Sequence, residues 1–370
     1  MAELSSTSAA QSQDWRQLVR PYTEANAAIA VFQLVSTLLL YAGALALMGW
    51  SLQFSYGYTL LLAVPAGGLA VRLFVLFHDC CHLSFFSSTR ANEIVGSVLG
   101  PLVFTSYHHW RLEHNHHHAT SGNLDKRGVG DVPTVTRSEF ESWGKLKQIG
   151  YRGLRNPFIL FTVGAVITFV VLQRFWGPCA TKREKVATVL TDVAIFGVYG
   201  AACWLFGWQN VLMVIGPTIS IAATAGIWLF YMQHQFPETY WAKSDTWSYK
   251  DAALKGSSFY DLPPLFRYFS GNIGFHHIHH LSPKVPNYRL VECHRGVPEF
   301  QVKGMGFVAS LRCLFVNLID DQTLRVISFG DLARAPAPAP TTAGFSAQLI
   351  VSPTEPAAVR AEPVRAAPAA

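Results

Sequence analysis

The sequence predicts an all-α polytopic membrane protein. It has four transmembrane helices in two hairpins, two interfacial or re-entrant helices, and a cytoplasmic helical cap that carries clustered histidines. Three observations predict it. Half of the 370 residues are hydrophobic and 14% are charged, whereas a soluble domain carries about 25% charged residues. The apolar residues fall in blocks: Ala25–Val71 is a run of 47 residues, and Val193–Pro237 one of 45, without Asp, Glu, Lys or Arg. All 14 histidines lie between His78 and His294, and several of them begin where a block ends.

Each block has the length of two spans of about 20 residues and a tight turn. Span 1 is placed at 27–50, span 2 at 56–77, span 3 at 187–206 and span 4 at 211–232. The turns SLQFSYG and GWQN contain none of the 29 Lys and Arg residues. The positive-inside rule then puts both turns outside and both termini in the cytoplasm. The first span acts as its own insertion signal, because residues 1–24 are polar and lack an apolar core.

Two shorter uncharged stretches remain. Ile94–Tyr107 has 14 residues, about 21 Å as a helix, which is short of the roughly 30 Å hydrocarbon core. Asn156–Gln173 has 18 residues, but basic residues flank it on both sides (Lys145, Lys147, Arg152, Arg155; Arg174, Lys182, Arg183, Lys185). Both are read as interfacial or re-entrant. The chain divides into a polar N-terminal arm (1–26), a membrane domain (27–332) and an Ala/Pro-rich tail (333–370) too poor in large apolar residues to bury a core.

The composition excludes a soluble enzyme, a disordered chain and a secreted globular protein. Six cysteines without CxxC spacing exclude a disulfide framework or zinc ribbon. The net charge of +6 follows the positive-inside bias and calls for no nucleic-acid partner.

The histidines form three clusters. HDCCH places His78 and His82 at i and i+4. HNHHH places His114, His117 and His118 at i, i+3 and i+4. HHIHH repeats that spacing with His276, His279 and His280, and His234 leaves the end of span 4. On a helix these offsets share one face, so each cluster offers two or three imidazoles in one direction. Imidazole suits Fe, Zn, Cu and Ni. A structural zinc site needs four ligands, and this many convergent rings suits two metals. His116 and His277 each point away from part of their own cluster and stay open as extra ligands. Asp79, Asp125, Asp131, Asp261 and Asn272 are available to orient ligands, with Asp79 and Asn272 preferred, although each could equally cap a helix or pair on the surface. His294 reads as an ordinary structural residue. His108 and His109 read equally well either way.

The stretches HDCCHLSFF, HNHHHATSGNLD, QHQFPETYW, GSSFYDLP and GNIGFHHIHHLSPKVPNYRL resemble the membrane fatty acid desaturase family, in particular its bacterial acyl-lipid Δ12/omega-6-like branch. The likeness runs from Phe77 to Phe329. It implies a non-haem di-iron centre, two iron ions with O2 as co-substrate. The ligands would be His78, His82, His114, His117, His118, His234, His276, His279 and His280. It also implies a fatty acyl lipid substrate and a location in the bacterial inner membrane with the histidines cytoplasmic. Three positions depart from the family pattern. Cys81 stands where glycine is usual, at i+3 from His78, where its thiol could approach the metal face. His116 is extra. Phe230 stands where the acyl-CoA branch has an asparagine that acts through water.

Oxidising an unactivated methylene requires a strong oxidant, and an acyl chain has no polar handle there, so a groove must set its register. Phe85, Phe86, Trp110, Trp241 and Trp247 are candidate groove residues and equally candidate interfacial-belt residues. No haem, iron–sulfur or dinucleotide motif occurs, so electrons come from an external ferredoxin or cytochrome b5-like donor. Two alternatives are weighed. A di-iron hydroxylase of alkyl, lipid or carotenoid substrates shares the metal chemistry. A histidine-rich metal transporter would want ionisable residues inside the spans, which the two uncharged blocks lack.

Overall fold

The computed structural model describes residues 14–333; residues 1–13 and 334–370, most of the expected tail and half of the expected arm, lie outside them. Among the described residues five helices are long and apolar enough to cross a membrane: Ala27–Ser51, Tyr56–Cys81, Pro157–Arg174, Lys182–Phe206 and Trp208–His234. Four of these are the expected spans, each extended by one to five residues at an end. The fifth is the stretch read as interfacial or re-entrant. It is the shortest, at 18 residues, which as a helix rise about 27 Å. It is also interrupted by a π-helical turn at Leu160–Gly164 and a 3-10 turn at Leu172–Arg174. The other short stretch forms no span. It is split between the helix Thr89–Leu99, a 3-10 turn Gly100–Val103 and the helix Tyr107–Thr120, and the chain reverses at Phe104 with φ +54°.

Local chemistry sets the helix boundaries. The Asn26 side chain accepts from the Ile29 amide at 3.1 Å to start the first span, and Ser55 accepts from Gly57 at 3.2 Å to start the second. Ser51 and Thr59 hydroxyls meet at 2.7 Å across the turn between them. Tyr56–Cys81 is the central helix, packed against both Ala27–Ser51 and Trp208–His234. Gly67 permits the second contact, since a Cβ there would lie 2.6 Å from Ile221 Cγ2. A cation inside an apolar helix is costly unless it is solvated by the protein. Arg72 is buried in this one, and its guanidinium donates to Thr37 Oγ1 at 3.1 Å and to the Tyr268 carbonyl, and stacks over the Tyr268 ring at 4.3 Å.

Beyond the histidine ends of the two long helices sits a lobe of short helices and loops. Three two-residue strands order part of it: Val135–Thr136 pairs parallel with Leu318–Ile319, which pairs antiparallel with Val326–Ile327. The N-terminal segment joins this lobe. Trp15 stacks on Tyr249 at 5.9 Å, and Val19 is buried with Ile278, Leu281 and Leu290 around the third histidine cluster. Replacing Gly67 by Leu should force the two central helices apart and cost about 1–3 kcal/mol. A lowered thermal midpoint of the purified protein checks this; an unchanged midpoint would show that the contact can relax.

Candidate metal centre

Four helix ends bring the histidines together. His78 lies in the last turn of Tyr56–Cys81 and His82 caps it, with its amide bonded to the His78 carbonyl at 3.2 Å. His234 is the last residue of Trp208–His234. His114, His117 and His118 project from Tyr107–Thr120, and His276, His279 and His280 from the six-residue helix His276–Leu281, all of whose residues are buried. Tyr249 fixes that short helix by donating to the His280 carbonyl at 2.7 Å.

The rings separate into two groups whose ligand atoms lie within 4.8 Å of one another: His78, His82, His114, His118 and His279 in one, and His117, His234 and His280 in the other. His276 joins the second through its Nε2, 2.9 Å from His234 Nε2. Further Nε2–Nε2 separations are 3.1 Å for His117–His234, 3.1 Å for His114–His118 and 3.0 Å for His118–His279. The groups abut, with the His118 and His280 rings stacked at 4.1 Å.

The family model described as fatty acid desaturase matches residues 55–309. This chain belongs to the fatty acid desaturase family. A fatty acid desaturase of Bacillus subtilis (strain 168) is 42% identical over 84% of this chain and 89% of its own length. An sn-1 oleoyl-lipid 12-desaturase of Anabaena variabilis is 27% identical over 68% of this chain and 72% of its own. A chloroplastic omega-6 fatty acid desaturase of Brassica napus is 28% identical over 65% of this chain and 54% of its own. The protein is accordingly an oxidoreductase, and its apolar helices make it a membrane enzyme.

The donor set of this desaturase fits metal. Facing imidazole nitrogens about 3 Å apart repel unless a proton or a cation lies between them, and two nitrogens bound at right angles to one ion at about 2.1 Å have that separation. Burial, reinforced by the neighbouring imidazoles, holds His82, His114, His118, His276, His279 and His280 well below their ordinary pKa of 6.5. They are neutral near pH 7, the form that binds metal. His82 Nε2 and His280 Nε2 are buried with no hydrogen-bond partner, as ligand atoms without an ion would be.

The outer nitrogens are oriented by the lobe. A carboxylate only accepts, so His78 Nδ1 donates to Asp79 Oδ1 at 3.2 Å and His117 Nδ1 donates to Asp131 Oδ1 at 2.5 Å. Asp79 is held in turn by the Asn287 amide at 2.7 Å and its Nδ2 at 2.9 Å. Asp131 Oδ2 accepts from Gly128 at 2.9 Å. The Gly256 carbonyl accepts from His234. Lys284 Nζ donates to the His82 carbonyl at 3.0 Å, closing the end of the first-cluster helix. Sequence reasoning missed Asn287 and Lys284. The stretch SPKVPNYRL beside the third cluster carries both, and nothing in its spacing marks them.

Other expected residues fall elsewhere. The Asn272 side chain donates to the Asn287 carbonyl at 3.2 Å instead of to an imidazole. His116 is exposed. His277 is buried, but its Nε2 meets the Phe300 carbonyl at 2.8 Å and its ring faces Phe259 and His294. The Cys81 thiol faces the Tyr107 carbonyl at 3.9 Å and joins neither ligand group. Asp125 caps the Ser244 turn, and Asp261 pairs with Arg267. The Phe230 ring lies 5.3 Å from His117 and 5.1 Å from His234, an apolar wall.

An apolar cavity of about 50 Å³, open at its mouth, lies between the long helices, lined by Tyr41, Phe74, Phe104, Phe169, Ala223 and neighbours. Phe74 meets Trp110 at 5.4 Å, and Trp110 stacks on His114 at 4.1 Å, so these two rings lie between the cavity and His114. A second, polar cleft of about 20 Å³ reaches His117 and His234 from another side, past Asp131, Gln235 and Trp241. Of the aromatics expected to shape a groove, Trp110 alone bridges to the cavity. Trp241 lines the polar cleft, Trp247 donates to the Ser121 carbonyl, and Phe85 and Phe86 pack on each other.

Two outcomes are expected. Asp131→Asn should weaken metal binding at the His117 group by about 10–100-fold, read by metal titration; unaltered affinity would show that His117 needs no anchor. The metal-free desaturase should lose stability as pH falls below about 6.5, because unfolding frees imidazoles to take up protons that the folded state refuses. A thermal midpoint constant from pH 7 to pH 5 would contradict the neutral assignment.

Proposed function

We propose that this desaturase introduces a cis double bond into the acyl chain of a membrane lipid, using O2 and electrons from an external ferredoxin or cytochrome b5-like carrier. Two iron ions would be held by His78, His82, His114, His118 and His279 on one side and by His117, His234, His276 and His280 on the other. The observation that carries this reading is the two abutting groups of buried imidazoles, the first of which is separated from an apolar pocket by the Phe74 and Trp110 rings. The relatives that act on oleoyl lipids favour a lipid-bound acyl chain in the Δ12/omega-6 manner.

The overall change removes two hydrogens from adjacent methylenes and, with O2, two electrons and two protons, yields the alkene and two waters. When bound, the di-iron centre supplies the oxidant for C–H cleavage. The chain's own residues do the rest. Phe74, Phe104 and Phe169 line an apolar slot that can hold methylenes but offers them no hydrogen bond, so shape sets the register. Trp110 stands between the slot and His78 and His114, where its side chain governs how close a methylene can come. Asp79 and Asp131 keep protons on the outer nitrogens of His78 and His117 and so keep the inner lone pairs free. The polar cleft beside His117 gives protons and water a route separate from the acyl chain.

We place the histidine lobe and both termini in the cytoplasm, with the turns 51–57 and 207–210 outside and 157–174 dipping into the cytoplasmic leaflet and returning. The inner membrane of a bacterium is the matching location. Residues 27–332 form the catalytic unit in this reading.

Expression in a host of known lipid composition with a matching electron donor, followed by fatty-acid analysis, tests the proposal. A new double bond is expected. A hydroxylated product would move the assignment to a hydroxylase, and no lipid oxidation despite intact iron would overturn both. His117→Ala and His279→Ala should abolish the product and lower bound iron, while His116→Ala should leave both unchanged. Full activity in the His279 variant would sink the ligand assignment.

A further inference from the structure

We infer that Arg155 is a positioning residue that sets the geometry of the second histidine group. The inference rests on the two-ion reading above. Arg155 is 2% exposed and lies just ahead of Pro157–Arg174. No carboxylate lies within ion-pair distance of it among the described residues. Instead the guanidinium donates to four neutral acceptors on three separate segments. Nη1 donates to the Pro133 carbonyl at 3.2 Å. Nη2 shares its two N–H groups among Tyr231 Oη at 3.1 Å, Gln235 Oε1 at 2.9 Å and the Val316 carbonyl at 2.7 Å, while Nε is buried without a partner.

The acceptors bracket the second group. Tyr231 and Gln235 stand three residues before and one after His234, where the helix ends and the backbone turns away. Pro133 follows two residues after Asp131, whose carboxylate holds His117. Val316 ties the assembly to the strand Leu318–Ile319, and Tyr231 Oη reinforces the tie by donating to the same carbonyl at 3.1 Å. One planar group therefore fixes the mounts of His234 and His117 relative to each other, and none of its hydrogen bonds goes to the mounts of His78, His82 or His279. A buried cation without a counter-charge is unfavourable. Its fork of donors is what four differently placed acceptors require, and a lysine ammonium cannot reproduce that fan.

The test uses full-length protein in detergent, with iron counted per chain and a metal-independent probe of His234. Arg155→Met and Arg155→Lys should each bind one ion where the wild type binds two, because the His78 group keeps its mounts. In the metal-free protein, carbethoxylation at His234 and His117, read by mass spectrometry, should accelerate severalfold, with His78 and His82 unchanged. Arg174→Met is the control. It removes a half-buried ion pair with Asp192 (2.6 Å) and a bond to the Phe104 carbonyl, neither of them to a histidine, and should lower the thermal midpoint while keeping both ions. Gln235→Leu removes one acceptor where the Arg155 variants fail to fold, and should weaken the second ion alone. Two ions at wild-type affinity, with unchanged labelling of His234, in the Arg155 or Gln235 variants would overturn the inference. A wild type that binds fewer than two ions would instead overturn the two-ion reading, and the labelling would still decide whether Arg155 positions His234.

Discussion

Imidazole nitrogens that face one another at 2.9–3.1 Å in a buried site set the terms for the rest of this molecule. Two such nitrogens repel when both present lone pairs, and a ring N–H or a cation between them relieves the repulsion. The fold must therefore hold them in place from outside. It does so with groups that grip the outer edges of the rings or the backbone beneath them: Asp79 with Asn287, Asp131 with Gly128, the Gly256 carbonyl, and Lys284 and Tyr249 on the carbonyls of His82 and His280.

That constraint explains the division of labour between the helices and the lobe. Long apolar helices are stiff and deliver His78, His82 and His234 at fixed heights, helped by the close Gly67–Ile221 approach. They cannot supply the third set, because three residues on the six-residue helix His276–Leu281 depend on tertiary packing for their position. The lobe core of Val19, Ile278, Leu281, Leu290 and Phe300 supplies that packing. The spans also enclose the apolar cavity, so one set of helices both places ligands and shapes the slot that meets them at Trp110.

Much of this was legible in the sequence because its signals are local. Uncharged runs report spans, and i, i+3, i+4 histidines report a shared helix face. The two hairpins appear where those runs lie, and all nine expected ligand histidines enter the cluster. Asp79 was legible too, being adjacent to His78. The less legible parts are contacts made across large separations: Asn287 on Asp79, Lys284 on the His82 carbonyl, and Arg155 between Pro133, Tyr231, Gln235 and Val316. A residue's type says that it can donate; only the folded chain says to what. The same limit explains Cys81, whose helical offset placed its thiol toward the metal face while the folded chain turns it to the Tyr107 carbonyl, and Asn272, which reaches Asn287 rather than a histidine.

The sequence by itself determined that this is a membrane protein of apolar helices whose histidines gather at one level, because charge depletion and helical periodicity are properties of neighbouring residues. Only the tertiary structure decided how those histidines are shared. Adjacent residues on one helix point about 100° apart, so His117 and His118 serve different groups, as do His279 and His280. Which of each pair faces which group depends on how four helix ends are rotated against one another, and that rotation is set by packing that no local pattern records.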